Sequence, residues 1–306
     1  MFDSLLMPGS FAKEPGFFYL PSRKFLFLRG KFAVMRSFFG SAFRFLRFYF
    51  SAQTRFGIHS PFVFSIVTDL LEDRRNFYAF SEIETIRRQS LSLKNVIETK
   101  KIGAGSRVTD QAQRPVSHIA KNSSVSGFWG RFLFKSVLHF KARTIVELGT
   151  SLGFSTMYLA KADSAARVFS IEADASLLRF AKGNLKNLKL ENVSLFEGAF
   201  ESELPVLLTQ IEQVDLAFID GDHRFEPTVS YFKMLLEKAG EDTVFIFDDI
   251  HWSDEMERAW QWIQNQSEVT LTIDFFRMGM VFFKKEFKEK QHFKIVPLAW
   301  KPWRIW

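Results

Sequence analysis

"VELGTSLGFST", residues 146–156, drives an apolar run into a loop with two glycines, Gly149 and Gly153. The run "TIVEL" (144–148) is short and β-branched, which suits a buried strand, and the residues after the loop read as a helix. Four further apolar runs follow at intervals: "RVFSIE" (167–172), "VSLFEG" (193–198), "VDLAFID" (214–220) and "TVFIFDD" (243–249). Helix-like stretches such as "SLLRFAKGNLKNL" (176–188) and "PTVSYFKMLLEKAG" (227–240) separate them. Strands alternating with helices predict βαβ units and a mainly parallel sheet. The last two runs, "SEVTLTIDFF" (267–276) and "MGMVFFKKE" (278–286), are joined by a tight "RMG" link and predict an antiparallel hairpin at the sheet edge. The fold class is α/β.

Open α/β sheets bind ligands outside the carboxyl ends of their strands, so the residues that end each run belong together. The first run ends in Glu147, then Gly149, Thr150, Ser151, Gly153, Ser155 and Thr156. Two glycines let the backbone turn sharply and approach a ligand closely, and the next helix offers its unpaired N–H groups to a carboxylate or phosphate. The second run ends in Glu172, at the distance where an acid binds both ribose hydroxyls of a nucleoside. The third ends in Gly198, Ala199 and Phe200, where an adenine ring would lie. The fourth delivers Asp220, and the fifth Asp248 and Asp249. The loop reads E-x-G-x-x-x-G-x-S-T rather than G-x-G-x-x-G, and suits an amino-acid carboxylate better than a pyrophosphate. In order and at one edge, these residues make a nucleoside site.

Over residues 143–285 the chain resembles the class I S-adenosylmethionine-dependent methyltransferases, and within them the small-molecule O-methyltransferases. "VELGTSLGFST" is similar to that family's first motif, "SIEAD" (170–174) to its ribose-binding acid, and "FIDGDHRFE" (218–226) to its fourth-strand motif. "GIHSPFVF" (57–64) and the "GAGS…HIAKNSS" region (103–124) resemble an uncharacterised bacterial branch. The resemblance implies a Rossmann-like seven-stranded sheet with an antiparallel C-terminal hairpin, S-adenosylmethionine as cofactor and a small-molecule acceptor. Catechol-type members hold Mg²⁺ with an aspartate after strand four and an Asp-Asn pair after strand five; the matching positions here are Asp220, Asp248 and Asp249. The family's Asn is replaced by Asp249, and the position of its catalytic lysine is His223. A histidine can take a proton directly, so His223, with Asp220, is the expected catalytic pair, and both metal-assisted and metal-free routes stay open. His251 and Trp252 are candidates for the acceptor pocket, and Asp222 is expected to cap a helix.

The formal charge is +7 and there is no cysteine, which excludes disulfides, thiolate metal sites and cysteine nucleophiles. Residues 1–50 carry eight Lys/Arg against two Asp/Glu, and 284–306 seven against two, so the body between them is net negative. A basic stripe across the body, the mark of nucleic-acid binding, is missing, and no nucleic-acid partner is expected. The composition fits a cytoplasmic protein, with membrane association as the alternative. Residues 1–30 read as a disordered or spurious N-terminal extension, 31–127 as a helical lid region, 128–290 as the methyltransferase-like domain and 291–306 as a basic aromatic tail. Within 31–50, Arg36, Arg44 and Arg47 share one face of a helix and phenylalanines cover the other. That helix is expected to pack on the main domain or on a second copy in a homodimer; peripheral membrane contact is its other use. The rival readings are N-methylation, and a cofactor-binding interaction protein without turnover.

Overall fold

The computed structural model describes residues 40–99 and 113–301; the expectations for 1–39 and for the "GAGS" loop at 103–106 lie outside them. The chain divides into two compact units, Met1–Phe43 and Arg44–Trp306. In the first, residues 40–43 are helical. The rest of this description concerns the second.

In chain order its strands are β1 (Val96–Glu98), β2 (Gln113–Pro115), β3 (Thr144–Leu148), β4 (Arg167–Glu172), β5 (Val193–Glu197), β6 (Val214–Ile219), β7 (Ala239–Phe247), β8 (Leu271–Asp274), β9 (Gly279–Phe282) and β10 (Gln291–Lys294). The helices are α1 (Pro61–Ile66), α2 (Tyr78–Ser92), α3 (Val116–Asn122), α4 (Gly127–Phe140), α5 (Phe154–Ala162), α6 (Ala175–Asn187), α7 (Phe200–Thr209), α8 (Phe225–Leu236) and α9 (Asp254–Gln264). The main sheet has the order β10-β8-β9-β7-β6-β3-β4-β5, in which β9 alone runs antiparallel to its neighbours. The seven expected strands and the edge hairpin are all there. Gln291–Lys294 adds an eighth, parallel to β8. Within the expected lid region, the described residues of 87–127 hold the end of α2, the small antiparallel β1–β2 pair and α3.

Period-two alternation divides each strand between two apolar layers. Ile145, Leu216, Phe218, Val244, Ile246, Met280 and Phe282 join one core with α1–α5. Val146, Ala217, Ile219, Phe245, Phe247 and Val281 join the other with α7–α9. Helix starts follow local chemistry. Ser60 accepts from Val63 N with Pro61 behind it, Asp174 accepts from Ser176 N and Leu177 N, and Ser253 from Met256 N.

Residues 44–51 are helical and lie against the C-terminal segments. Phe45 and Phe48 pack on Phe276 at ring-centroid distances of 5.0 and 5.3 Å, and Tyr49 donates to the carbonyl of Trp300 at 2.7 Å. The basic face meets α9: Arg44 bonds Asp254 at 2.7 Å and Arg47 lies 3.5 Å from Glu257. Gln53 bridges to Ile295. Both faces of this helix thus find partners within the same unit, the first of the uses expected for it. Among the described residues no helix is long and apolar enough to cross a membrane.

Candidate functional site

The order of the sheet reverses at β3, which pairs with β4 on one side and β6 on the other. Gly149 sits at that point with φ +102°, and a Cβ placed on it would come within 2.0 Å of the carbonyl oxygen of Asp220. Only glycine lets the two strand ends approach this closely. Its N–H donates to the carbonyl of Ile171, while Asp220 N donates to Leu148, so β3, β4 and β6 are tied together at the mouth. Ser151 follows in the left-handed region at φ +49°, and Gly153, at φ +83°, caps the start of α5.

Below the loop lies a polar network sealed from water. Glu147 is fully buried, and its Oε2 accepts from the hydroxyls of Thr156 and Ser170, each at 2.5 Å. Ser170 spends its only proton on Glu147, so the 2.6 Å contact with Thr150 has Thr150 as donor. Burial pushes the Glu147 carboxyl above the usual range, against the pull of the neighbouring hydroxyls. Its other oxygen, Oε1, is buried without a close hydrogen-bond partner, although the Ser155 hydroxyl also draws the Glu147 pKa down. The hydroxyls of Thr150 and Thr156 are turned into this network, so what these residues offer a ligand is backbone.

Glu172 closes β4. Its Oε2 accepts from Ser151 N at 2.8 Å and its Oε1 from Asp174 N at 2.9 Å. Burial raises its pKa while those N–H groups oppose the rise. Across the mouth Ala199 is exposed at the head of α7. Phe200, placed beside an adenine by the sequence, instead turns its ring into the core, edge-on to Tyr231 at 5.5 Å and against Gly221.

After β6 the backbone holds Asp222 at φ +61° and His223 at φ +25°, both in a region costly for side chains. That turn brings His223 Nε2 to 3.6 Å from Asp220 Oδ1, and its ring to 5.8 Å from Trp252. Asp222 pairs with Arg224 through two hydrogen bonds and caps no helix. Burial, then the charges of Asp248 and Asp249, raise the Asp220 pKa well above normal. His251, expected near the acceptor, is engaged elsewhere: its ring nitrogens lie 2.7 Å from Glu257 and 2.8 Å from Asp274.

These strand ends match known proteins in the same region. The profile of a family described as a methyltransferase domain matches residues 146–250. Over those residues the chain is similar to a methyltransferase domain. It is 31% identical over 129 residues to a catechol O-methyltransferase of Mycobacterium tuberculosis, covering 42% of this chain and 57% of the relative. A catechol O-methyltransferase of Niastella koreensis is 30% identical over 130 residues, with 42% and 58% covered. The chain thus spans less than two thirds of either relative's length. Among solved structures, the SAH-bound methyltransferase PaMTH1 of Podospora anserina superposes with a TM-score of 0.53 at 14% identity, covering 74% of this chain and 97% of that one. The O-methyltransferase TomG of Streptomyces achromogenes, solved with SAM, gives 0.50 at 18% identity, covering 69% and 91%. At such identities the likeness is one of fold.

The acidic end of the site departs from the expected metal cradle. Asp248 is buried, and Arg277 grips both its oxygens, Nε to Oδ1 at 3.0 Å and one terminal nitrogen to Oδ2 at 2.8 Å. The same guanidinium lies 3.9 Å from Asp249. Among the described residues no three His, Asp or Glu side chains are grouped to hold a metal. Asp220, Asp248 and Asp249 therefore converge as expected but do not fit Mg²⁺: the central carboxylate is already engaged by a side-chain cation. Sequence reading passed over Arg277, which it saw only as part of a hairpin link.

The donor side fits an S-adenosyl ligand better. A loop hinged on two glycines and a carboxylate at the end of β4 are groups such a molecule needs.

Proposed function

We propose that the chain transfers the methyl group of S-adenosylmethionine to an oxygen of a small-molecule acceptor. The observation that carries this reading is the meeting of Gly149, Glu172 and Asp220 at the point where the sheet order reverses, above the buried Glu147. The relatives named as catechol O-methyltransferases support the choice of oxygen and of a small acceptor.

The donor supplies a methyl group already activated on a sulfonium, so the protein's task is to hold two partners in line. In this reading the backbone of residues 149–153 and the first turn of α5 take the amino-acid end. Glu172 takes the ribose hydroxyls, and exposed Ala199 borders the adenine. His223 accepts the acceptor's hydroxyl proton as the oxygen–carbon bond forms and the sulfur–carbon bond breaks. The products are a methyl ether, a neutral thioether and a proton on the imidazole, which Asp220 steadies from 3.6 Å. No step is routed through a metal.

Calorimetric titration with S-adenosylhomocysteine tests the donor site without needing the acceptor. Micromolar binding that Glu172→Ala weakens at least tenfold is the expected result. A folded wild-type protein that takes up none of it would sink the reading.

A further inference from the structure

We infer that Arg277 is the resident cation of the acidic mouth, standing where the catechol-type pattern would place a divalent ion. The acidic cluster needs positive charge: Asp220, Asp248 and Asp249 end neighbouring strands, and Asp248 is buried. An unpaired carboxylate there would be costly. Arg277 meets the need with the planar two-point grip that a guanidinium makes on a carboxylate.

Backbone geometry fixes that guanidinium in place. Arg277 N donates to Phe275 O at 3.0 Å, and its carbonyl accepts from Ile250 N at 3.2 Å, which ties the β8–β9 turn to the loop after β7. Asp274 steadies the same turn from below, accepting from Phe276 N at 2.7 Å and lying 2.8 Å from His251 Nε2. The His251 ring stacks on Phe276 at 5.0 Å with an interplanar angle of 12°. The turn is thus held on three sides, and Arg277 arrives with its backbone already placed.

A magnesium ion needs oxygen ligands at roughly 2.1 Å in near-octahedral array. To supply one, Asp248 would have to release Arg277, leaving a half-buried guanidinium beside a dication. Arg277 and a divalent ion therefore exclude each other. Arg277 acts as a positioning residue: it holds Asp248 and Asp249 and fixes the charge that Asp220 and His223 experience. The inference relies on the reading above only for what this mouth does, and a metal titration needs neither donor nor acceptor, so the two can fail separately.

The experiment is a titration of the full chain with Mn²⁺, with the free ion read by electron paramagnetic resonance. Wild type is expected to leave Mn²⁺ free up to millimolar concentration. Arg277→Gln should take up one ion at least tenfold more tightly, Arg277→Gln with Asp248→Asn should lose that uptake, and Arg277→Lys should behave as wild type. Micromolar uptake by wild type that Asp248→Asn removes would overturn the inference. So would a folded Arg277→Gln that binds Mn²⁺ no better than wild type. If Arg277→Gln does not fold, the wild-type and Asp248→Asn titrations still decide.

Discussion

Glu172 and Ser151 are joined across the mouth: the Glu172 carboxylate accepts the Ser151 backbone N–H at 2.8 Å. The residue assigned to the ribose therefore also anchors the glycine loop, and the two roles can be separated. Glu172→Gln keeps an oxygen for one of its two partners, Ser151 N or Asp174 N, whereas Glu172→Ala keeps neither bond. A hydrogen bond to a charged group contributes about 1.5–3 kcal/mol. Glu172→Ala should lower stability by at least that amount and Glu172→Gln by less, while both weaken S-adenosylhomocysteine binding. Chemical denaturation beside calorimetry checks this; equal stability of the two variants would refute the anchoring role.

Gly149 allows no side chain. Alanine there would have to adopt φ +102° with its Cβ 2.0 Å from the Asp220 carbonyl. Strain of this kind costs about 1–3 kcal/mol before the clash is counted. Gly149→Ala should lose at least that much stability. A melting temperature within a degree of wild type would show that the strand ends can part freely.

His251 gives a pH signature. Burial alone would lower its pKa, but the hydrogen bonds to Asp274 and Glu257 outweigh it and raise the value to about 9. A histidine raised above its unfolded value contributes fully below about pH 6.5, and the contribution fades as pH climbs through 9. The shift corresponds to roughly 3 kcal/mol, shared with the two carboxylates. His251→Gln should therefore cost most at pH 6 and least near pH 10. A stability gap that stayed constant or widened with pH would contradict an imidazolium at this position.

The helix over residues 44–51 should depend on its aromatic face more than on its arginines. Phe48 is 2% exposed, and Phe48→Ala should cost about 3–5 kcal/mol. Arg44 pairs with an Asp254 side chain that is 90% exposed, and a double-mutant cycle on the pair should give about 1 kcal/mol or less. Reversal of that ranking in urea melts would mean that charge, not packing, docks the helix.

His223 separates binding from chemistry. His223→Ala should leave S-adenosylhomocysteine affinity within twofold of wild type, yet slow transfer to any acceptor found by screening by about 10²–10⁴-fold. Unchanged turnover would remove His223 from its role.

Much of this architecture could be read from residue order. Alternating apolar runs gave the parallel sheet, and the paired glycines of "VELGTSLGFST" marked its mouth, because a strand, a tight turn and a helix start each leave local signals. The missed features depend on distant chain segments. Arg277 reaches Asp248 only because β9 reverses beside β7 and brings the turn over the loop after it. Phe200 turns inward because Gly221, twenty-one residues later, leaves room for its ring. The hydroxyl of Thr150 is directed by Ser170 on the neighbouring strand. Gln291–Lys294 has too little apolar alternation to announce a strand, and forms one because β8 offers it an edge.

The bridge between Gln53 and Ile295 has a consequence for how the molecule is made. Gln53 N bonds the carbonyl of Lys294 at 2.7 Å, Val296 N returns to Gln53 at 2.9 Å, and Lys301 reaches the carbonyl of Ala52. Such contacts close a loop of more than two hundred residues, which makes them non-local and slow to form. On the ribosome, the segment around residue 53 must wait, undocked, until residues 294–301 have been synthesised. Strands β3–β6 and their helices can assemble in that interval, so the cleft is built before its flank is sealed.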